Sequence, residues 1–170
     1  MTAKVDKSST LATAQIGASG VLLIQYRLLK HGIESAPMTT DAGIDLVVYS
    51  SKLEKAVTVQ VKTCLRPKPA GGVGGPQLDW WLPQNSPAEL IGLANLACDQ
   101  VWLFRRKEFE DKAQQPDPAE RLRHPEKELH LYFYVEKDYQ ARPWCHERDF
   151  EPFTIERRME ELFGVPQNSN

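Results

Sequence analysis

The sequence predicts a single α/β domain in which helices flank a central mixed β-sheet. A chain of 170 residues fits one compact domain, and 41% hydrophobic with 26% charged residues is typical of globular proteins. Helical and strand-like apolar periods alternate along the chain, which favours helices packed on a sheet. We expect residues 11–165 to form this domain, with residues 1–10 and 166–170 as tails, the first of them disordered.

The first predicted element is a helix that begins near Leu11. It carries two adjoining apolar stripes: Val21, Ile24 and Leu28, and Leu22, Tyr26 and Leu29. Together they form the broad apolar face of a helix that packs on a core. Gly32 follows at a position where a left-handed residue commonly ends a helix.

Two strand-like runs follow, Gly43–Tyr49 and Ala56–Thr63, and β-branched residues dominate both. The short polar segment between them predicts an antiparallel hairpin. Within the second run the side chains alternate, so that the valines point one way and Thr58, Gln60 and Lys62 point the other.

The rest of the chain predicts further elements around this hairpin. A basic, glycine-rich loop over residues 66–76 lacks the ending of a phosphate-binding P-loop, so we expect a connection there. The remaining predictions are a strand over Leu78–Leu82, a helix that starts with the capping-box pattern Ser86-Pro87-Ala88-Glu89 and ends near Ala97, strands over Asp99–Phe104 and Leu129–Val135, a polar loop over residues 113–128, and a helix over Phe153–Phe163 that ends at Gly164.

The composition excludes several classes of protein. The mean hydropathy is -0.46, and no apolar run is long enough to span a membrane. The first ten residues are polar and predict no signal peptide, so we expect a cytoplasmic protein. The chain has three cysteines, Cys64, Cys98 and Cys145, and their odd number and lack of CxxC spacing argue against a disulfide framework. The histidines lack the spacing of a zinc site.

The net charge of -2 argues at first against a nucleic-acid partner. The charge is unevenly distributed, however. Residues 1–75 hold nine Lys and Arg against five Asp and Glu, a net of +4, whereas the rest holds twelve against eighteen, a net of -6. This asymmetry is compatible with one cationic face.

The predicted hairpin contains polar residues where packing would favour apolar ones. Asp45 interrupts an apolar strand, and Gln60 and Lys62 share one face of the next strand. Burying such groups costs several kcal/mol unless they are paired or bind an ion. Carboxylate, amide and backbone carbonyl oxygens suit Mg²⁺ or Mn²⁺, so Asp45, Gln60 and the Val61 carbonyl are candidate ligands. A plain Asp45–Lys62 salt bridge is the alternative.

These motifs resemble the PD-(D/E)XK nuclease superfamily, the restriction-endonuclease-like fold that includes Holliday junction resolvases. The residues that carry the resemblance are Gly20 in the first helix, the strand Gly-Ile-Asp-Leu-Val-Val-Tyr, and Gln60-Val61-Lys62-Thr63, where QxK replaces ExK. It covers about residues 14–104. It implies an α-β-β-β-α-β core with C-terminal additions, metal-dependent hydrolysis of DNA phosphodiester bonds and a possible homodimer. Asp45, Gln60 and Lys62 then match the family's catalytic positions.

The sequence departs from this family at two positions. Val21 stands where many relatives have a metal-binding Glu, and Gln60 brings no charge. A catalytically weak or inactive module that binds nucleic acid therefore remains an alternative, as does a protein-interaction domain. Candidate nucleic-acid contacts are Gln25, Arg66, Lys68, Arg105 and Arg106, although a Gln on a helix surface and a solvated charge run are the ordinary alternatives.

Overall fold

The computed structural model describes residues 11–40, 42–72, 74–113, 128–135 and 146–166. The predicted tails over residues 1–10 and 167–170 lie outside these ranges. So do Cys145 and most of the predicted loop over residues 113–128.

The first helix, α1, spans Thr13–Lys30 and confirms the predicted helix. Its buried face consists of Gly20, Ile24 and Leu28. The second predicted apolar stripe is exposed instead, since Leu22, Tyr26 and Leu29 lie on the outward side of the helix. Gly32 adopts a φ of 72°, the left-handed conformation that the sequence predicts for the end of this helix.

The strands form two sheets among the described residues. In chain order they are β1 (Glu34–Pro37), β2 (Leu46–Ser50), β3 (Lys55–Cys64), β4 (Lys68–Pro69), β5 (Pro76–Pro83), β6 (Leu90–Asn95), β7 (Gln100–Arg105) and β8 (Glu128–Tyr134). The central sheet has the order β1-β2-β3-β6-β7, and the second sheet has the order β4-β5-β8. Because β3 and β6 are parallel while the other pairs are antiparallel, the central sheet is mixed.

Two hydrophobic clusters lie on opposite faces of the central sheet. One joins α1 to aliphatic residues of the sheet and to the C-terminal helix α3 (Ile155–Phe163). The other joins the sheet to β5 and β8 through aromatic residues, including Trp80, Trp102 and Phe133. A short helix α2 (Arg106–Lys112) and two 3₁₀ helices (Ala70–Gly72 and Glu147–Phe153) complete the described elements.

The predicted helix from Ser86 to about Ala97 is wrong. Residues Leu90–Asn95 form β6, and all six are buried because the strand lies inside the sheet with both faces covered. A strand of this kind has a continuous apolar run, which periodicity alone does not separate from a buried helix. The capping-box pattern forms a local turn instead, in which the Ser86 hydroxyl accepts a hydrogen bond of 3.4 Å from the Ala88 N–H.

The predicted fold class is confirmed, since helices flank a central mixed sheet. The second helix of the predicted α-β-β-β-α-β order is replaced by strand β6. The strand over Leu78–Leu82 exists but belongs to the second sheet. The predictions omitted β1, β4 and α2, which are short. None of the helices in the described ranges is long and apolar enough to cross a membrane.

Candidate active site

Asp45 and Gln60 lie opposite each other at the point where β2 begins. Leu46 is the register partner of Val59, so the antiparallel pairing places Asp45 beside Gln60. Leu46 and Val59 both belong to the cluster under α1. Because side chains alternate along a strand, Asp45, Gln60 and Lys62 share the other face of the sheet, as the sequence predicts.

The backbone of Asp45 is held from both sides. Its N–H donates to the Val59 carbonyl at 2.9 Å, and its carbonyl accepts from the Met38 N–H at 2.9 Å. Its carboxylate is also anchored, because Oδ2 accepts a hydrogen bond of 2.6 Å from the Val61 N–H. Two of these bonds hold the Asp45 backbone, and the third holds its carboxylate against the edge of β3.

The Val61 carbonyl lies on this same edge. The N–H and C=O groups of one strand residue point to the same side, and the Val61 N–H points at Asp45. The backbone of β3 thus presents a carbonyl oxygen beside the Asp45 carboxylate.

Gln60 carries an unsatisfied polar atom into the same region. The residue is 8% exposed, and among the described residues its Oε1 atom has no hydrogen-bond partner. Leaving a buried acceptor unpaired costs roughly 1–3 kcal/mol. An oxygen kept in such a place is suited to a ligand that supplies positive charge, so the donor set fits a hard divalent cation.

Lys62 is half-buried on the same strand face as Gln60. Within the described part of the chain, its ammonium forms no ion pair with Asp45 or with any other carboxylate. The structure therefore does not contain the plain Asp45–Lys62 salt bridge that the sequence left open. The ammonium is available to a phosphate or to a water molecule near the sheet.

The helix α1 adds no carboxylate to this site. Val21 is apolar, and Gln25 donates its amide to the Ser35 carbonyl at 3.3 Å, which ties it to β1. Among the residues that the structure describes, no three His, Cys, Asp or Glu side chains form a cluster that could hold a metal ion. Cys64 at the end of β3 does not compensate, because burial raises the pKa of its thiol to about 11 and keeps it protonated.

The predicted nucleic-acid contacts fall into two groups. Arg66 and Lys68 are exposed after β3, and neither forms an ion pair with a described residue. Arg105 instead pairs with Glu161 at 3.3 Å, and Arg106 pairs with Glu110 at 2.9 Å. Arg105 shares a row of the sheet with Leu46 but lies three strands away, roughly 14 Å at ordinary strand spacing.

Alternation along β5 places its two adjacent tryptophans on opposite faces of the second sheet. Trp80 is 2% exposed within the aromatic cluster, whereas Trp81 is 46% exposed. Trp81 stacks on His130 of the neighbouring strand with 3.8 Å between ring centroids. One face of the Trp81 ring is therefore covered by His130 and cannot stack on a nucleic-acid base.

A cavity of about 600 Å³ lies away from Asp45, at the edge strand β7. Its lining includes Trp102, Tyr134, His146 and Glu147. The Trp102 Nε1 and His146 Nδ1 atoms are buried and have no hydrogen-bond partner in the described ranges, and burial raises the pKa of Glu147. No sequence pattern marks these residues, because they come together only when the segment after residue 145 bridges β7 and β8.

Comparison with solved structures finds a similar fold in a bacterial homing endonuclease, I-Ssp6803I. The TM-score is 0.56 at 14% identity, and the match covers 94% of this chain and 100% of that chain. The chain has a nuclease-like fold. No protein-family model matches the sequence, and no curated protein matches it. Asp45, Gln60 and Lys62 thus lie on a nuclease-like scaffold.

Proposed function

We propose that this protein is a metal-dependent nuclease that hydrolyses phosphodiester bonds in DNA, with a PD-(D/E)XK-type site in which Gln60 replaces the second acidic residue. The observation that carries the proposal is the unpartnered Oε1 of buried Gln60 beside the anchored Asp45 carboxylate. The nuclease-like fold supports it.

The proposed metal ligands are Asp45, Gln60 and the Val61 carbonyl, and Mg²⁺ or Mn²⁺ is the ion that suits these oxygens. When bound, such an ion polarises a phosphoryl oxygen and lowers the pKa of a coordinated water. Asp45 supplies the negative charge of the site, and its bond from the Val61 N–H holds it in place.

Lys62 is the proposed catalytic cation. Its ammonium would orient the attacking water and offset charge that builds on the phosphate in the transition state. It can take this role because no carboxylate of the described chain neutralises it. Its position two residues after Gln60 keeps both side chains on one strand face.

DNA is the proposed substrate, and Arg66 and Lys68 are the proposed phosphate contacts. Both are exposed cations without ion-pair partners in the described ranges, and they follow the strand that carries Gln60 and Lys62. Gln25, Arg105 and Arg106 are weaker choices, because each would have to give up a contact that it already makes.

Cleavage of plasmid, linear and branched DNA with Mg²⁺ or Mn²⁺ tests the function. We expect the wild type to cleave at least one substrate, and Lys62→Ala to lose about 100-fold or more, a typical cost of removing a group that stabilises the transition state. Lys52→Ala is the matched control, since Lys52 is an exposed lysine in the turn before β3.

Equal activity in Lys62→Ala and Lys52→Ala would contradict the assignment of Lys62.

Asp45→Asn should abolish metal binding, which isothermal titration with Mn²⁺ measures without any need for turnover. Gln60→Glu should tighten Mn²⁺ binding, because a second carboxylate is a stronger ligand than an amide. Unchanged Mn²⁺ affinity in both variants would show that the ion binds elsewhere.

A module that binds nucleic acid without cleaving it is the second candidate. The observation that favours it is the single carboxylate of the site in the described residues, with Val21 on the helix. It predicts DNA binding that weakens steeply with salt and survives Asp45→Asn. Filter binding at several salt concentrations, with Arg66→Ala and Lys68→Ala, separates it from the enzyme when no cleavage is seen.

A further inference from the structure

The cavity of about 600 Å³ beside β7 is built by three of the described segments of the chain. Trp102 comes from β7 and Tyr134 from the end of β8, whereas His146 and Glu147 begin the segment that crosses between these strands. Single bridges join Tyr134 to His146 and Trp102 to Thr154, and they hold both ends of this crossing. The volume lies within the range of roughly 300–1,000 Å³ that is usual for small-molecule sites.

Two residues of the cavity wall carry buried nitrogen atoms that lack partners. Trp102 is 1% exposed and His146 is 7% exposed, and neither Trp102 Nε1 nor His146 Nδ1 has a hydrogen-bond partner among the described residues. The backbone of His146 is nevertheless held, because its N–H donates to Asp149 Oδ2 at 3.0 Å and its carbonyl accepts from the Asp149 N–H at 2.9 Å. Since buried polar atoms are normally hydrogen-bonded, these two nitrogens favour a polar occupant of the cavity.

A carboxylate and a guanidinium group belong to the same lining. Glu147 is half-buried and Arg148 is exposed, and neither forms an ion pair or a hydrogen bond through its side chain with another described residue. Burial alone raises the pKa of Glu147, so no nearby cation neutralises its charge. The other carboxylate of the lining, Glu151, is paired instead with Arg157 at 2.9 Å. Glu147 therefore provides a free acceptor, and Arg148 provides a free cation at the exposed side of the cavity.

These groups are a poor fit for several kinds of occupant. An indole N–H only donates, so Trp102 cannot ligate a metal ion, and the described ranges contain no cluster of His, Cys, Asp and Glu side chains for one. A purely apolar molecule would leave all of these polar groups without partners. A simple anion suits Arg148 but is repelled by Glu147. The cavity therefore needs a molecule that offers an acceptor to the indole, donors to the carboxylate and an anionic group to the guanidinium.

We propose that this cavity binds the guanine base of a nucleotide. Guanine presents the donors N1–H and N2–H on one edge, which match the Glu147 carboxylate, and its O6 acceptor matches the Trp102 N–H. The N7 acceptor lies next to O6 and suits His146 Nδ1 in the tautomer that donates. A flat heteroaromatic ring also fits walls that include the rings of Trp102 and Tyr134.

The phosphate of the nucleotide is the group that Arg148 would bind at the exposed side of the cavity. A free nucleotide and an unpaired base in a nucleic acid share this chemistry. The inference does not depend on catalysis at Asp45, and a protein that cleaves no DNA should bind guanine equally well.

Isothermal titration of the full chain with guanosine monophosphate (GMP) tests the proposal, and EDTA in the buffer excludes binding through a metal ion. We expect saturable binding of GMP, with affinities for the adenine, cytosine and uracil nucleotides that are lower by about tenfold or more. Ribose 5-phosphate should not bind, because it lacks the base. Equal affinity for all of the nucleotides, competition by ribose 5-phosphate as strong as by GMP, or no saturation at millimolar GMP would overturn the proposal.

A ligand that lacks one donor isolates the contact with Glu147. Inosine monophosphate (IMP) has no 2-amino group, so the wild type should bind it about tenfold more weakly than GMP. Glu147→Gln should weaken GMP binding by about tenfold and remove most of the preference for GMP over IMP. Glu160→Gln is the matched control and should bind GMP as the wild type does, since Glu160 is an exposed glutamate of α3 outside the described lining. An unchanged preference for GMP in Glu147→Gln would contradict the contact, and urea unfolding verifies that the variants are folded.

The phosphate contact is tested by comparing GMP with guanosine. Arg148→Ala should weaken the binding of GMP and leave the binding of guanosine unchanged, because guanosine has no phosphate for the guanidinium to bind. Equal loss of both ligands would contradict this role of Arg148.

The source of the base is tested by competition between GMP and single-stranded DNA that contains one guanine. We expect the strand to displace GMP poorly, because its flanking phosphates would approach the carboxylates of Glu147 and Glu151. The ligand is then a free nucleotide. Displacement as strong as by GMP itself would keep the cavity as a guanine site and assign the base to a nucleic acid.

Discussion

The two faces of the central sheet are covered by different layers, and β3 takes part in both. The helix-covered face packs against α1 and α3 through aliphatic residues such as Ile24 and Val59. The sheet-covered face packs against β5 and β8 through aromatic residues such as Trp80 and Trp102. Gln60 and Lys62 lie on the sheet-covered face, on the same strand as Val59.

This difference separates a face whose residues follow packing from a face that also carries the proposed site. On the helix-covered face, glycines let α1 approach the sheet closely, and packing determines the residue types. On the sheet-covered face, the aromatic cluster occupies β6 and β7, whereas the side near β2 keeps an amide, an ammonium and a carboxylate. A buried polar atom without a partner, such as the Gln60 Oε1, lowers stability. Its presence beside a well-packed core favours the hypothesis that these polar residues serve a function and do not stabilise the fold.

The largest expected effect comes from enlarging Gly20 on the helix-covered face. A Cβ there would lie 1.9 Å from the Thr63 Oγ1 and 2.9 Å from both its Cβ and its Cγ2, so rotation of Thr63 does not relieve the clash. We expect Gly20→Ala to lower the free energy of unfolding by about 1–3 kcal/mol, despite the better helix propensity of Ala. Urea unfolding measures this change.

Gly17→Ala is the matched control on the same helix. Nothing lies within 4 Å of a Cβ at Gly17, so it should raise the free energy of unfolding by about 0.5–1 kcal/mol. The double variant Gly20→Ala with Thr63→Ala should recover part of the loss, because the two positions are in contact. If Gly20→Ala and Gly17→Ala stabilise the protein equally, α1 does not approach β3 this closely.

A smaller effect of opposite sign is expected from Gln60→Met on the sheet-covered face. Methionine has a similar shape without the unpaired oxygen, so the free energy of unfolding should rise by about 1 kcal/mol. The same variant should lose the thermal stabilisation that Mn²⁺ gives the wild type. Gln77→Met on β5 is the control and should change neither quantity much, since Gln77 lies outside the proposed site.

A loss of stability in Gln60→Met would show that the Gln60 oxygen has a partner in solution. The difference between the two faces would then be smaller, because Gln60 would stabilise the fold as the core residues do. Retained stabilisation by Mn²⁺ would instead remove Gln60 from the ligand set and leave the stability argument intact.

The sequence predicts the elements whose patterns are local, and it fails where burial on both faces removes the pattern. Alternation in β3 identifies the polar face correctly, and Gly32 marks the end of α1. Leu90–Asn95 is buried at every position, so it has no polar side to show a period of two, and the nearby capping box favours a helix. Short strands such as β1 depend on their neighbour for existence and carry little pattern of their own.

The candidate site is predictable in part for the same reason. Asp45, Gln60 and Lys62 lie on two consecutive strands, so a hairpin and alternation are enough to bring them together. The ion pair of Arg105 depends on Glu161, which is distant in sequence, and that of Arg106 depends on the helix α2, which the sequence patterns do not predict. The sequence predicts that both apolar stripes of α1 pack on the core, whereas Leu22, Tyr26 and Leu29 are exposed, because a sequence does not show which of two adjoining stripes is covered.

The smallest expected effect concerns the outer surface of the second sheet, where His130 lies under Trp81 and its Nε2 is 3.6 Å from the Asp79 carboxylate. Burial lowers the pKa of His130 below its ordinary value of 6.5, although Asp79 opposes the shift. The unfolded chain therefore binds this proton more tightly than the folded one. The contribution of His130 to stability is complete above pH 6.5 and is lost as the pH falls through the folded pKa.

Urea unfolding between pH 5 and pH 8, compared with His130→Gln, should show a slightly flatter pH dependence in the variant. Asp79→Asn should lower the pKa of His130 further in an NMR titration, because it removes the charge that favours the protonated ring. A His130 pKa above 6.5 in the wild type would mean that attraction by the Asp79 carboxylate outweighs burial under Trp81. The predicted loss of stability at low pH would then be wrong.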